Sequence, residues 1–269
     1  MAIKSSFNIF YITRTLTRLA VVLSQPSKIT LSIVLTTIRS LLPTQTVNQT
    51  SNQTRMMLDI VIILSLVVLF CYLRAIKPWA RVKDDYLDPK KYDKPLRPML
   101  IREEVMLLTF ILLTPCLIYS IEYLADWKTA SSLKKYYFGL FMSLNFVQIV
   151  KLATCRPRPN AIAMERLAKE GNSPVWFKCD PTLEMRQSFF SGHSMLGSYM
   201  SFFIVFLLQD IFYPKDTLGP SAVQFLLILI GMFPATSQGI SYWHHWDDVL
   251  VGYGVGVAAA TTFYYGINP

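Results

Sequence analysis

The chain has 269 residues, 52% of them apolar and only 16% charged, and its mean hydropathy is positive, which excludes an ordinary soluble domain of this size. A formal charge of +9 argues little for nucleic acid, because Lys and Arg fall between apolar stretches rather than along one polar face; anionic lipid or phosphate is the partner it implies. The four cysteines, Cys71, Cys116, Cys155 and Cys179, have neither zinc-ligand spacing nor a Cys-x-x-Cys redox pattern.

Residues 1–55 carry six Lys or Arg and no acid, with Arg14 and Arg18 one helical turn apart. An amphipathic targeting or membrane-surface segment fits this composition, and so does a disordered basic tail. Asn48-Gln49-Thr50 and Asn52-Gln53-Thr54 match the glycosylation acceptor pattern, which matters only on a lumenal tail. Residues 56–269 then form a second region with six stretches near the roughly 20 apolar residues that span a bilayer: about 57–76, 104–124, 137–154, 192–213, 220–237 and 248–266. The expected fold is an all-α integral membrane protein, a bundle of six transmembrane helices with a phosphate site at one membrane face.

Between the first two spans, residues 77–104 are charged and punctuated by proline, as an exposed loop or short surface helix would be. Pro115 is expected to kink the second span, and Asn145 and Gln148 put amides inside the third, where helix-to-helix hydrogen bonding is their ordinary use. Cys155 and Cys179 share one extramembrane segment; a disulfide in an oxidising lumen and two free thiols are both open. Gly252 and Gly256 form a Gly-x-x-x-Gly in the sixth span, a signature of close helix packing.

Counting crossings places the loops after spans one, three and five on one face. Three polar boxes lie there. Lys151 to Pro159 leaves the third span, Ser191-Gly192-His193 enters the fourth, and Ser237 to Asp248, with His244 and His245, joins the fifth to the sixth. The chain's three histidines thus all lie at membrane boundaries, where ionisable groups are costly and usually functional. Lys151 and Arg158, with Arg156 nearby, offer charge and donors to phosphate oxygens. Ser191 and Gly192 at a helix start offer a hydroxyl and backbone N–H groups. His193 is positioned to protonate a leaving alkoxide. His244 and Asp248 stand four residues apart, so a helical turn would set carboxylate against imidazole, as a nucleophilic histidine requires. Each box alone has a plainer explanation: an orientation signal, a headgroup contact, or interfacial histidines. Their joint occurrence at three span ends argues for a phosphate site.

At these residues the chain resembles the type 2 phosphatidic acid phosphatase, or lipid phosphate phosphatase, family, whose pattern is Lys-x6-Arg-Pro, Pro-Ser-Gly-His and Ser-Arg-x5-His-x3-Asp. Lys151 to Arg158-Pro159 matches the first box, and Phe190-Ser191-Gly192-His193 matches the second with Phe190 for proline. Ser237 to Asp248 matches the third with Gln238 at the arginine position. The resemblance covers about residues 57–266 and implies a phosphomonoesterase that uses no metal and no other cofactor. His244 would form a phosphohistidine, Asp248 would orient it, and His193 would be the acid. Lys151, Arg158, Ser191, Gly192 and the residue at 238 would bind the phosphoryl oxygens.

Gln238 brings neither charge nor a guanidinium fork, and loss of one such donor costs about 10²–10³ in rate. Arg156 or Arg186 is expected to compensate, since both lie on the correct side. The substrate class implied is an amphiphile such as phosphatidic acid, lysophosphatidic acid or sphingosine 1-phosphate. The alternative is a weakened relative that binds lipid phosphate or partners without efficient turnover; a homo-oligomer is left open. The face opposite the boxes carries ten Lys or Arg and the boxed face about fifteen, which read naively puts the site in the cytosol. The family resemblance implies instead a lumenal or extracellular site, in the endoplasmic reticulum or plasma membrane.

Overall fold

A computed structural model of the chain describes residues 52–76, 87–126, 129–171, 180–212 and 218–267. The basic tail through residue 51, with its Asn48 acceptor site, and Cys179 lie outside them. Residues 57–269 form one compact unit. Its described residues are helices and connections, with no strand among them.

Six long helical rods carry the fold. In chain order they are α1 (Asn52–Ala75), a rod made of α3 (Glu103–Leu108) and α4 (Thr114–Leu124), α5 (Thr129–Thr154), α8 (Gly192–Phe212), α9 (Leu218–Ile240) and α10 (Trp246–Tyr265). Short helices α2 (Pro89–Tyr92), α6 (Ala161–Glu170) and α7 (Pro181–Glu184) lie in the connections. Five of the rods are long and apolar enough to cross a membrane. The sixth, α10, has 20 residues but dilutes its apolar run with Asp247, Asp248, three glycines and Thr261 and Thr262. Large apolar side chains face outward on α1 (Leu64, Val68), α4 (Leu117) and α9 (Phe225, Leu226, Ile230, Phe233). In water such a surface would aggregate; in a bilayer it meets acyl chains, and the chain is an integral membrane protein.

The second rod realises the expected disturbance at Pro115 as a π-helical turn over Thr109–Leu113. Proline has no N–H for the carbonyl four residues back, Ile111. Tyr137 of α5 donates its hydroxyl to that oxygen at 2.9 Å, and Tyr136 donates to Phe110 O at 3.0 Å. Thr114 Oγ1 closes on Thr109 O at 3.1 Å. Two neighbouring tyrosines thus satisfy backbone acceptors that lipid could not.

Helix α5 starts some eight residues before the apolar stretch read from the sequence, because its first turns are polar. Lys134 pairs with Asp59 at 2.8 Å and Lys135 donates to Tyr264 O at 3.1 Å, so those turns remain helical against neighbours. Asn145 acts as helix-to-helix glue, its Nδ2 donating to Leu66 O of α1 at 3.0 Å.

The central helix is α8. A Cβ on Gly252 of α10 would strike Ser191 O, and one on Gly256 would strike Ser198 Oγ and Met195 O. The Gly-x-x-x-Gly therefore does bring two backbones into close approach. Ser194 Oγ donates to Val249 O at 2.6 Å and Ser198 Oγ to Tyr253 O at 2.9 Å, stitching the same seam. On the other side of α8, Gly197 and Gly231 admit α9 in the same manner.

Candidate active site

The site forms where α5 ends, α8 begins, and α9 turns into α10. The chain leaves α5 through Cys155, whose positive φ of 46° reverses its direction, and whose thiol, free in this structure, is buried against Leu152 O. Backbone bonds from Arg158 N to Met185 O (2.9 Å) and from Ser188 N to Arg156 O (3.0 Å) then clamp the first box against residues 184–188. Trp243, buried between Met164, Met185, Leu96 and Met99, donates Nε1 to Arg97 O at 2.8 Å and fixes the α9–α10 turn beneath this layer. His245, the second histidine of its box, places its Nε2 3.1 Å from Pro157 O, so it serves to hold the loop.

Of the eight residues singled out from sequence, Lys151, Arg158, Gly192, His193, Gln238 and His244 line one cavity. Ser191 and Asp248 stand directly behind it, fully buried. Ser191 caps α8, accepting Ser194 N at 3.3 Å, while its own N–H is committed to Asp248 O at 3.1 Å. Lys151 is buried, and its ammonium makes no side-chain hydrogen bond or ion pair among the described residues. Its charge lies in the cavity with the carboxylates of Glu184 and Glu103, where burial is partly offset by nearby anions. His193 has a buried Nε2 without a partner.

The orientation of His244 follows from its neighbours. Arg158 Nη1 lies 3.3 Å from Nε2, and a guanidinium can only donate, so Nε2 accepts. Nδ1 must then carry the proton, which it gives to Ser188 O at 2.6 Å. Burial, and after it the charges of Arg158 and Lys151, hold the imidazole well below its ordinary pKa. A neutral ring with an unprotonated Nε2, held only by a 3.3 Å contact to Arg158, is what a nitrogen nucleophile needs.

The helical pairing expected for His244 and Asp248 takes a different form, because α10 begins at Trp246 and His244 precedes it. His244 Nδ1 and Asp248 Oδ2 are 3.9 Å apart, beyond hydrogen-bond distance. Asp248 instead caps α10 by accepting His245 N at 3.1 Å, and it also receives Ser188 Oγ and Arg156 Nη1. The carboxylate therefore reaches the ring through Ser188, a residue that no sequence pattern marked.

Arg158 is more constrained than the sequence suggested. Its Nε donates to Glu184 O at 2.7 Å, Nη2 to Glu184 Oε2 at 2.6 Å, and Nη1 to Trp243 O at 2.9 Å as well as toward His244. Burial alone would raise the Glu184 carboxyl, but Arg158, Lys151 and Arg74 outweigh it and keep it ionised. Glu184, Glu103 and Arg74 all line the cavity and were missed from sequence, since they lie outside every motif box. The expected compensation for Gln238 by Arg156 or Arg186 does not occur in the cavity. Arg156 is taken by Asp247 (2.7 Å) and Asp248 (2.6 Å) at the start of α10, and neither arginine is among the lining residues. Gln238 itself is buried, with Oε1 unpartnered and Nε2 3.5 Å from Ser237 Oγ.

Residues 132–269 match the model of the PAP2 superfamily. Human phospholipid phosphatase 2 is 31% identical over 139 residues, covering 47% of this chain and 48% of that protein. Its bovine counterpart is 29% identical over 145 residues, with coverages of 47% and 48%, and rat phospholipid phosphatase 1 is 28% identical over 139 residues, with 46% and 47%. The chain spans about half the length of the curated relatives it matches. No solved structure matches it. With the three boxes gathered on one cavity and the family pattern covering α5 to α10, the chain belongs to the PAP2 superfamily, the type 2 phosphatidic acid phosphatases.

Proposed function

We propose that this chain is a phosphatase of membrane lipid phosphates, such as phosphatidic acid, acting through a phosphohistidine and without a metal. The observation that carries the reading is the tautomer of His244: Nδ1–H donated to Ser188 O, and an unprotonated Nε2 at the wall of a cavity that also holds Lys151 and His193, its lone pair held by a long contact to Arg158 Nη1 that phosphorus would replace. In the first step Nε2 of His244 bonds to phosphorus as the bond from phosphorus to the lipid oxygen breaks. His193, protonated as the anionic headgroup enters the cavity, gives that proton to the oxygen and returns to the neutral ring, and the free lipid alcohol leaves. In the second step water attacks phosphorus, the N–P bond breaks, and His193 takes the proton from the water. Lys151 and Arg158 balance charge on the phosphoryl oxygens, the electrostatic contribution that dominates such transfers. Asp248 positions His244 through Ser188.

The cavity wall supports an amphiphilic substrate. Phe70, Met106, Leu107, Leu144, Val147 and Leu196 line it beside the charged groups, so a headgroup can bind while the first methylenes of its tail stay in apolar surroundings. We place the site on the lumenal or extracellular side, by analogy with the family.

The test is phosphate release from phosphatidic acid by the purified full chain in detergent micelles containing a chelator. Release that persists with chelator and is abolished in His244→Ala supports the proposal. Strict dependence on added divalent metal would refute the mechanism. A second reading, binding without efficient turnover, is favoured by Gln238, which gives the cavity a neutral amide where the family has arginine. Saturable lipid phosphate binding with no release would establish it.

A further inference from the structure

We propose that Arg74, on the first membrane span, supplies the second guanidinium for the phosphoryl group, the role that Gln238 cannot fill. The inference rests on the phosphatase reading above and extends it to a residue outside all three motif boxes.

Three observations converge on Arg74. First, it lines the same cavity as Lys151, Arg158, Gln238 and His244. Second, the motif cations available there are insufficient. Arg158 has four of its five N–H groups committed, to Glu184, Trp243 O and His244 Nε2, which leaves one for substrate. Gln238 presents a buried carbonyl oxygen without a partner, the wrong polarity for a phosphate oxygen. Arg156 is held outside by two carboxylates. Third, the ion pair of Arg74 with Glu103 is one with which a phosphate dianion can compete. Arg74 meets Glu103 at 3.1 Å with both side chains about one-third exposed, and approaches Glu184 only to 4.0 Å. A part-exposed pair of this kind is weak, while a guanidinium on phosphate gains two parallel charge-assisted bonds.

Arg74 and Arg158 thus approach the two oxygens of one carboxylate, Glu184, at 4.0 and 2.6 Å. The cavity's three cations, Arg74, Lys151 and Arg158, face two acids, Glu103 and Glu184, and a phosphate monoester brings up to two further negative charges. The plainer role for Arg74, a tie between α1 and α3 through Glu103, predicts instead that Arg74→Ala lowers the Tm and leaves phosphate binding unchanged.

The experiment is the Kd of inorganic phosphate for the full chain in detergent, by titration calorimetry, with folding checked by thermal unfolding. Arg74→Ala should raise the Kd by about ten- to a hundredfold, as loss of a charge-assisted contact does. Arg74→Lys keeps the charge and the tie to Glu103 but loses the fork, and should fall between. Arg74→Ala combined with Gln238→Arg should recover most of the loss, because guanidinium returns to the same cavity from α9. Glu103→Gln should lower the Kd by releasing Arg74. A folded Arg74→Ala that binds phosphate like wild type overturns the proposal, as does failure of Gln238→Arg to recover binding. If Arg74→Ala does not fold, Arg74→Lys decides: a folded Arg74→Lys with the wild-type Kd overturns it. Because binding is read apart from turnover, a chain that binds phosphate but releases none from phosphatidic acid sinks the phosphatase reading and still tests Arg74. A wild-type chain that binds no phosphate overturns both.

Discussion

Helices α8, α9 and α10 and helix α1 belong to one bundle but are held by different physics. In the apolar window of α8, 56% of residues are buried; in that of α1, only 6% are. The first group closes through glycines and serines at backbone contact, where an added Cβ would strike a neighbouring helix. Helix α1 packs partly buried side chains, such as Leu66 and Phe70, on the core and is joined also by polar ties: Asp59 to Lys134, Leu66 O to Asn145, Arg74 to Glu103. The stiff half carries His193, Gln238, His244 and Asp248, whose chemistry depends on tenths of an ångström. The loosely attached helix contributes Phe70 and Arg74, which meet tail and headgroup and can adjust to them.

The largest effect expected in the stiff half is the loss of the nucleophile. His244→Ala should reduce phosphate release by about 10³-fold or more while leaving phosphate binding measurable. Next is the seam that positions it. Gly256→Leu forces a side chain into Ser198 and the Met195 carbonyl and should destabilise by about 1–3 kcal/mol or more, seen as a lower Tm in detergent. Gly254, one turn face away with nothing near it, should accept alanine with no loss of Tm, and a drop as large as that of Gly256→Leu would mean that the seam is misidentified.

A pH effect of intermediate size comes from His244. Its folded-state pKa lies well below the ordinary imidazole value, chiefly through burial and then through Arg158 and Lys151. Its contribution to stability is therefore complete above about pH 6.5 and is lost as pH falls toward the folded value, with a slope of at most about 1.4 kcal/mol per pH unit for one proton. His244→Asn should lose less Tm than wild type between pH 6.5 and 5; equal losses would show that the ring is not held neutral. The smallest effects belong to α1. Asn145→Ala removes one interhelical amide bond and should cost roughly 0.6 kcal/mol, the usual size in membranes, and Lys134→Ala, at a pair about half exposed, should cost less still. If either exceeded the cost of Gly256→Leu, the contrast between the two halves would be reversed.

Much of this was legible in the chain. Apolar runs announced the rods because spanning lipid demands length and hydrophobicity, and the Gly252–Gly256 spacing announced the seam because only small residues permit such approach. The helical pairing of His244 with Asp248 was not legible in the same way. Residues four apart face each other only when both are in the helix, and α10 starts two residues too late. Ser188 and Glu184 left no signal, since a serine hydroxyl and a loop carboxylate are common and their use here depends on which backbone they meet.

The sequence by itself determined the number of rods, the side on which the boxes gather, and the chemical types available for holding phosphate. Those properties come from composition and parity, which are local or additive along the chain. Only the tertiary structure decided which cations face the cavity and which are already held: Arg158 by Glu184, Arg156 by Asp247 and Asp248, and Arg74 brought in from more than 70 residues before Lys151. Partner choice among charges depends on distance in space and on burial, and neither is encoded in the spacing of a motif.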